Sequence, residues 1–139
     1  MGTFRTDCTI ENLLNSSKSV VVPKAMVDTG SELTWVPAPM LERIGIHRVK
    51  KDSPFVMANG QQITRSIGFA LVRVGDAFTV DEVVFGEPGD MSLLGARSLE
   101  GLNLSVDPSR KRLVASGPAP AAKSAGKRRS VKKKTSKRK

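Results

Sequence analysis

The residues Ala25-Met26-Val27-Asp28-Thr29-Gly30-Ser31 form an apolar run that delivers one acid into a turn of small residues. That pattern places the Asp28 carboxylate at the end of a buried strand, an acid–base group whose proton chemistry on a peptide needs a second carboxylate beside it. Taken alone, an aspartate before a glycine most often serves a turn or a cap. Other chemistry-bearing residues are sparse. His47 is the only histidine, and no serine sits in a Gly-x-Ser-x-Gly elbow, so a Ser-His-Asp arrangement has no signature and His47 reads as structural. One cysteine and one histidine do not make a zinc site, and neither a metal nor another cofactor is expected. Cys8 has no partner for an intramolecular disulfide and is expected to be a buried or half-buried thiol. Trp35, the only tryptophan, follows the Asp28 turn closely and reads as core packing ahead of lining a cleft.

Short β-branched runs separated by turn residues must position that acid, which predicts an all-β domain with one or two small helices. The clearest strands are Ile63 to Val74 and Ala77 to Phe85. Asn59-Gly60, between Ser53-Pro54-Phe55-Val56-Met57 and Gln62-Ile63-Thr64, predicts a type I′ hairpin turn that projects from the sheet. Gly75-Asp76 predicts a type II′ turn, and Asp107-Pro108-Ser109-Arg110 a third turn joining Leu104-Ser105-Val106 to Leu113-Val114-Ala115. Helical signals are confined to Pro39 to Ile44, ending at Gly45, and Ala96 to Glu100, ending at Gly101. The strand-loop-helix passages before these two glycines are weakly alike, as the halves of a pseudo-symmetric barrel would be. The stretch from Thr3 to Pro23 supplies strands whose register the sequence leaves open.

In this order of features the sequence resembles the retropepsin-like aspartic proteases over about residues 3 to 115. Val27-Asp28-Thr29-Gly30-Ser31 resembles that family's catalytic loop, and Thr34-Trp35-Val36-Pro37 the strand after it. The Asn59-Gly60 hairpin falls where the family has its flap. Leu93-Leu94-Gly95, followed by Leu99 and by Leu104-Ser105-Val106-Asp107, resembles its second hallmark. The resemblance implies a small closed β-barrel that acts as a homodimeric aspartic endopeptidase, with Asp28 as the catalytic acid. It further implies that Thr29 braces the two loops across the dimer and that Gly30 lets its backbone approach the carboxylates, with Ser31 completing the loop. Leu94 and Gly95 would pack around that loop, and Ala58, Asn59 and Gly60 would close over bound peptide. The chemistry itself calls for two carboxylates sharing one proton, since like charges a few ångströms apart do not both ionise. The chain has a single Asp-Thr-Gly or Asp-Ser-Gly triplet, so a second copy must supply the other acid. The chain departs from the pattern in having no tyrosine, which removes any flap role for an aromatic hydroxyl.

Charge divides the chain in two. Ten of the 23 basic residues lie between Lys123 and Lys139, a segment without an acid, and the remaining 13 match the 13 acids of the body. The net charge of +10 therefore belongs to the tail. Residues 1-116 read as one protease-like domain, too short for two packed lobes. Residues 117-139 read as a Pro/Ala linker and a disordered Lys/Arg-rich tail. Residues 123-139 suit weak, salt-sensitive binding of nucleic acid or another polyanion, and less well an anionic membrane, since no hydrophobic face accompanies them. No signal peptide or transmembrane segment is apparent, and a cytoplasmic location is expected. The Met1 to Thr6 myristoylation pattern and the Asn15 and Asn103 glycosylation acceptors are discounted. The competing reading is a catalytically silent peptide-binding and dimerisation module carrying a polyanion-binding tail.

Overall fold

Alternation of apolar and polar residues sets the strands that carry the core. Along Phe69-Ala70-Leu71-Val72-Arg73, Ala70 and Val72 are buried while Phe69 is exposed and Leu71 and Arg73 are half-buried, the period of a strand with one face inward. The apolar run Val83-Val84-Phe85 is buried throughout and reads as a strand covered on both faces. The computed structural model describes residues 4–118 and 120–121. In chain order they form β1 (Arg5–Asn12), β2 (Asn15–Val27), β3 (Thr34–Pro37), α1 (Ala38–Arg43), β4 (Lys50–Val56), β5 (Gln62–Val74), β6 (Ala77–Gly86), β7 (Leu93–Leu94), α2 (Ala96–Leu102), β8 (Leu104–Asp107) and β9 (Arg112–Ala115). The domain is all-β with two short helices, as the sequence predicts. The basic segment 123-139 lies outside the described residues.

Seven strands form one sheet in the order β1-β2-β7-β3-β6-β5-β4, and β5 also pairs with β1. The pairings β1–β2, β2–β7, β7–β3, β3–β6, β6–β5 and β5–β1 therefore return to their start. Their order is matched about the β7–β3 contact. β2 runs parallel to β7 and β3 parallel to β6, whereas β3 and β7 are antiparallel. Each central strand leads directly into a helix, β3 into α1 and β7 into α2. The two passages singled out in the sequence thus occupy equivalent places.

The N-terminal register left open by the sequence is a hairpin with Ile10 opposite Val20 and Asn12 opposite Asn15. A bulge sets Pro23 and Lys24 opposite Asp7, whose Oδ1 accepts from the Lys24 amide at 2.9 Å while Lys24 adopts φ 51°. Two local expectations are corrected. The β4–β5 turn is not type I′: Met57 and Gln61 close a three-residue loop in which only Gly60 has positive φ, +85°. Asn59 stays out of the left-handed region, and its Oδ1 accepts from the Gln61 amide at 2.9 Å. Nor does α2 end at Gly101. It runs to Leu102 and is capped by Asn103 at φ 57°, whose Nδ2 donates to the Gly117 carbonyl at 2.6 Å. Gly101 is a packing glycine, because a Cβ there would overlap the Thr79 side chain of β6. The Gly75-Asp76 turn agrees with type II′, since Gly75 alone has positive φ.

Two groups of buried side chains matter for the site. The larger joins Ile10, Val22, Val36, Leu41, Val72, Phe85, Leu94 and Leu99 inside the circuit of strands. Cys8 lies among them at 2% exposure, and burial, aided by the Asp7 charge, pushes its thiol up to about 12. The smaller joins Leu33, Trp35, Ile67 and Val84, against which Phe55, Met57, Ile63 and Leu93 pack from the β4–β5 hairpin and β7.

Candidate active site

β2 ends at Val27, and the chain turns at once. Asp28 is half-buried at that turn, and its amide donates to the Leu94 carbonyl at 3.0 Å. Its own Oδ1 accepts from the Gly30 amide at 2.9 Å, and its carbonyl accepts from the Ser31 amide at 3.1 Å. The two hydrogen bonds are those of an aspartate-led turn, so the bland and the functional readings describe the same geometry. The strand-end placement of the carboxylate is as the sequence predicts.

The loop from Asp28 to Leu33 hangs on the start of α2. The Ala96 amide donates to the Ser31 carbonyl at 2.8 Å and the Arg97 amide to the Glu32 carbonyl at 3.0 Å, while Ser31 Oγ donates to the Leu33 carbonyl at 2.8 Å. Leu94 is fully buried. Gly95 passes so close to the loop that a Cβ would overlap the Leu33 carbonyl and lie 2.9 Å from the Ser31 oxygen. Glycine is required there for close approach, not for φ. Thr29 is exposed, and its hydroxyl makes no hydrogen bond among the described residues.

Asp28 opens onto a cleft of about 850 Å³, a size that accommodates a peptide segment. Its apolar surfaces come from Met26, Leu33, Trp35, Phe55, Met57 and Leu93, with Met91 at one margin. Trp35 is both core and lining: it is 6% exposed, faces the cleft, and meets Phe55 edge-to-face at 5.1 Å. The β4–β5 hairpin borders the cleft through Pro54 to Ala58, whereas Asn59 and Gly60 form its exposed tip and do not line it. Ala58 is therefore brought to the same cleft as Asp28, and the other two flap candidates are not. His47 is exposed and lines a separate, smaller hollow near Leu13 and Leu14.

Apart from Asp28, the acids that line the cleft are paired. Arg65 of β5 holds Asp90 with two hydrogen bonds, Nε to Oδ2 at 2.7 Å and Nη2 to Oδ1 at 3.0 Å. This bond holds the Asp90 carboxyl below its usual range, and both side chains are largely shielded from solvent. It joins the hairpin to the loop Glu87–Met91, of which Gly89, Asp90 and Met91 line the cleft. A second chain of charges runs Glu32–Arg97–Glu82–Lys50, with contacts of 3.0, 2.7 and 2.7 Å. Lys50 first, then Arg97, lowers the Glu82 carboxyl. Arg97 and Lys50 are solvated, so these pairs orient more than they stabilise. Sequence reading missed Arg65, Asp90 and Phe55. The only available signal was an acid shortly before Leu93-Leu94-Gly95, and its partner is distant in sequence.

Residues 19–101 match the family model described as gag-polyprotein putative aspartyl protease. The chain belongs to this retropepsin-like aspartyl protease family. The match takes in Asp28, the β4–β5 hairpin and Leu94-Gly95, the features on which the sequence resemblance rests. No match is found among curated proteins. Among the described residues of this protease-family domain, no group of three or more His, Cys, Asp or Glu side chains could hold a metal ion, and no helix is long and apolar enough to cross a membrane.

Proposed function

We propose that the chain is an aspartic endopeptidase that works as a homodimer, with the Asp28 of each copy meeting on a two-fold axis. One observation carries this: half-buried Asp28 lines an apolar cleft that is bordered by the β4–β5 hairpin. Two such carboxylates share one proton. The ionised member takes a proton from the water that attacks the peptide carbonyl, and the protonated member donates to the oxygen on which charge develops. Thr29, exposed in the single chain, braces the paired loops; Gly30 and Ser31 shape them, and Leu94 and Gly95 carry them. Ala58, Asn59 and Gly60 form the lid over an extended substrate. The same reading takes the returning circuit of strand pairings as a small closed barrel, and the chain as a protease domain over 1-116 followed by a linker and basic tail over 117-139. The tail attracts polyanions, and the protein acts in the cytoplasm.

Purified protein and Asp28→Asn, each with its oligomeric state measured, are offered a peptide library at mildly acidic and neutral pH. The expected result is cleavage by the native dimer and none by a mutant that still dimerises. Cleavage retained by the mutant refutes the assignment, and a native dimer that binds peptide without cleaving it favours the silent binding module. Removing residues 118–139 is expected to leave cleavage intact and to abolish binding to heparin at low salt.

A further inference from the structure

Thr34 and Ser98 are the only polar side chains that are fully buried among the described residues, and they are in contact. Their surroundings fix the direction of every hydrogen bond they make. The Gly95 amide donates to Thr34 Oγ1 at 3.0 Å, and Ser98 Oγ donates to Asp81 Oδ2 at 2.9 Å, with the Asp81 carboxylate as acceptor. A hydroxyl has a single proton to give. Ser98 gives its proton to Asp81, so in the 2.6 Å contact between the hydroxyls Thr34 is the donor and Ser98 the acceptor. Thr34 then turns its lone pairs toward Gly95.

The Gly95 amide belongs to the peptide group whose carbonyl is that of Leu94. This carbonyl accepts the Asp28 amide at 3.0 Å. One peptide unit is thus held at both ends, by Asp28 on its oxygen and by Thr34 on its nitrogen. The complete series runs from the Asp28 amide through the Leu94–Gly95 peptide, Thr34 and Ser98 to the Asp81 carboxylate, with every bond donating in the same sense. Bonds aligned in this way polarise one another, and an anion at the accepting end strengthens the whole series. Asp81 is itself oriented, since its Oδ1 accepts from the Glu82 amide at 2.7 Å.

We infer that Asp81, Ser98 and Thr34 are positioning residues for Asp28, acting through the Leu94–Gly95 peptide. They touch neither substrate nor the reacting atoms. Their role is to fix the plane of the peptide on which the Asp28 loop hangs, and so the place of its carboxylate. This inference rests on the reading of Asp28 as the catalytic acid.

The test compares Ser98→Ala and Asp81→Asn with Ser98→Thr, which keeps the hydroxyl, in full-length protein. Cleavage kinetics are read together with hydrogen exchange of the Asp28 and Gly95 amides by NMR. For Ser98→Ala the expected result is a kcat lower by about tenfold with KM within about twofold, since misplaced groups lose rate before binding. The two amides should exchange at least about tenfold faster, with amides of β5 and β6 unchanged, and Ser98→Thr should restore both readings. Asp81→Asn should show the same pattern more weakly, and it decides the matter if Ser98→Ala does not fold. Native kcat in Ser98→Ala and Asp81→Asn, or a uniform rise in exchange across the sheet, overturns the inference. Native protein that cleaves nothing defeats the protease reading instead, and the exchange of the two amides still decides whether the series holds the Asp28 loop.

Discussion

Replacing Gly95 by alanine tests how tightly the Asp28 loop is held. A Cβ built on Gly95 lies 2.6 Å from the Leu33 carbonyl carbon and 2.9 Å from the Ser31 oxygen, and overlaps the Leu33 oxygen. Carbon atoms in contact prefer about 3.5 Å, so the two segments must part by about 1 Å. All three neighbours are backbone, and no side chain can rotate away to absorb the change. Overpacking of this kind costs about 1–3 kcal/mol. At roughly 4 °C per kcal/mol for a domain of this size, the melting temperature should fall by about 8 °C. A displacement of about 1 Å in the loop should lower kcat by about 100-fold. Circular dichroism melts at one fixed protein concentration provide the first reading, because dimerisation makes apparent stability concentration-dependent. Gly60→Ala serves as the contrast: a Cβ there meets nothing within 4 Å, and only its φ of +85° resists, at a cost of about 1 kcal/mol. A Gly95→Ala protein that melts within about 2 °C of native and keeps its activity would refute the close-approach reasoning.

The Arg65–Asp90 bond makes a pH prediction. The folded state holds the Asp90 carboxyl below the ordinary value of 3.8, so its contribution is present above that value and is lost as pH falls through the lower, folded one. Stability measured between about pH 2 and pH 5 should fall more steeply in native protein than in Arg65→Met, and equal slopes would contradict this. Cys8, buried and pushed up to about 12, should not react with a thiol reagent at pH 8 until the protein unfolds in denaturant; reaction at the rate of a free thiol in native protein would show the burial to be wrong.

Local chemistry made much of the fold legible. Short β-branched runs between turn residues marked β5 and β6 nearly to the residue, and the apolar run before Asp28 placed its carboxylate at a strand end. The failures have local causes too. The Asn59 side chain serves the Gln61 amide rather than allowing the residue into the left-handed region, and Gly101 answers to Thr79 on a neighbouring strand rather than ending its helix. Pro23 within β2 concealed a strand that tolerates it at a bulge. The Thr34–Ser98–Asp81 contacts join positions far apart in the chain, and isolated hydroxyls in a sequence carry no sign of one another. The Arg65–Asp90 pair was hidden for the same reason.

Strand β5 changes partners along its length. From Gln62 to Ser66 it pairs with β4 alone; at Ile67 it meets β6 as well, and from Leu71 to Arg73 it lies between β6 and β1. In mechanical terms the hairpin is a propped cantilever, clamped by buried Ile67 and Gly68 and stayed beyond them by Arg65 on Asp90 and Phe55 on Trp35. Gly68 has no room for even a methyl group against the His47 carbonyl, which makes the clamp tight. The projecting arm can bend without breaking a single ladder hydrogen bond to the body. On the proposed reading, motion over the cleft falls to this arm, which shares no ladder hydrogen bond with β2, the strand that ends beside Asp28.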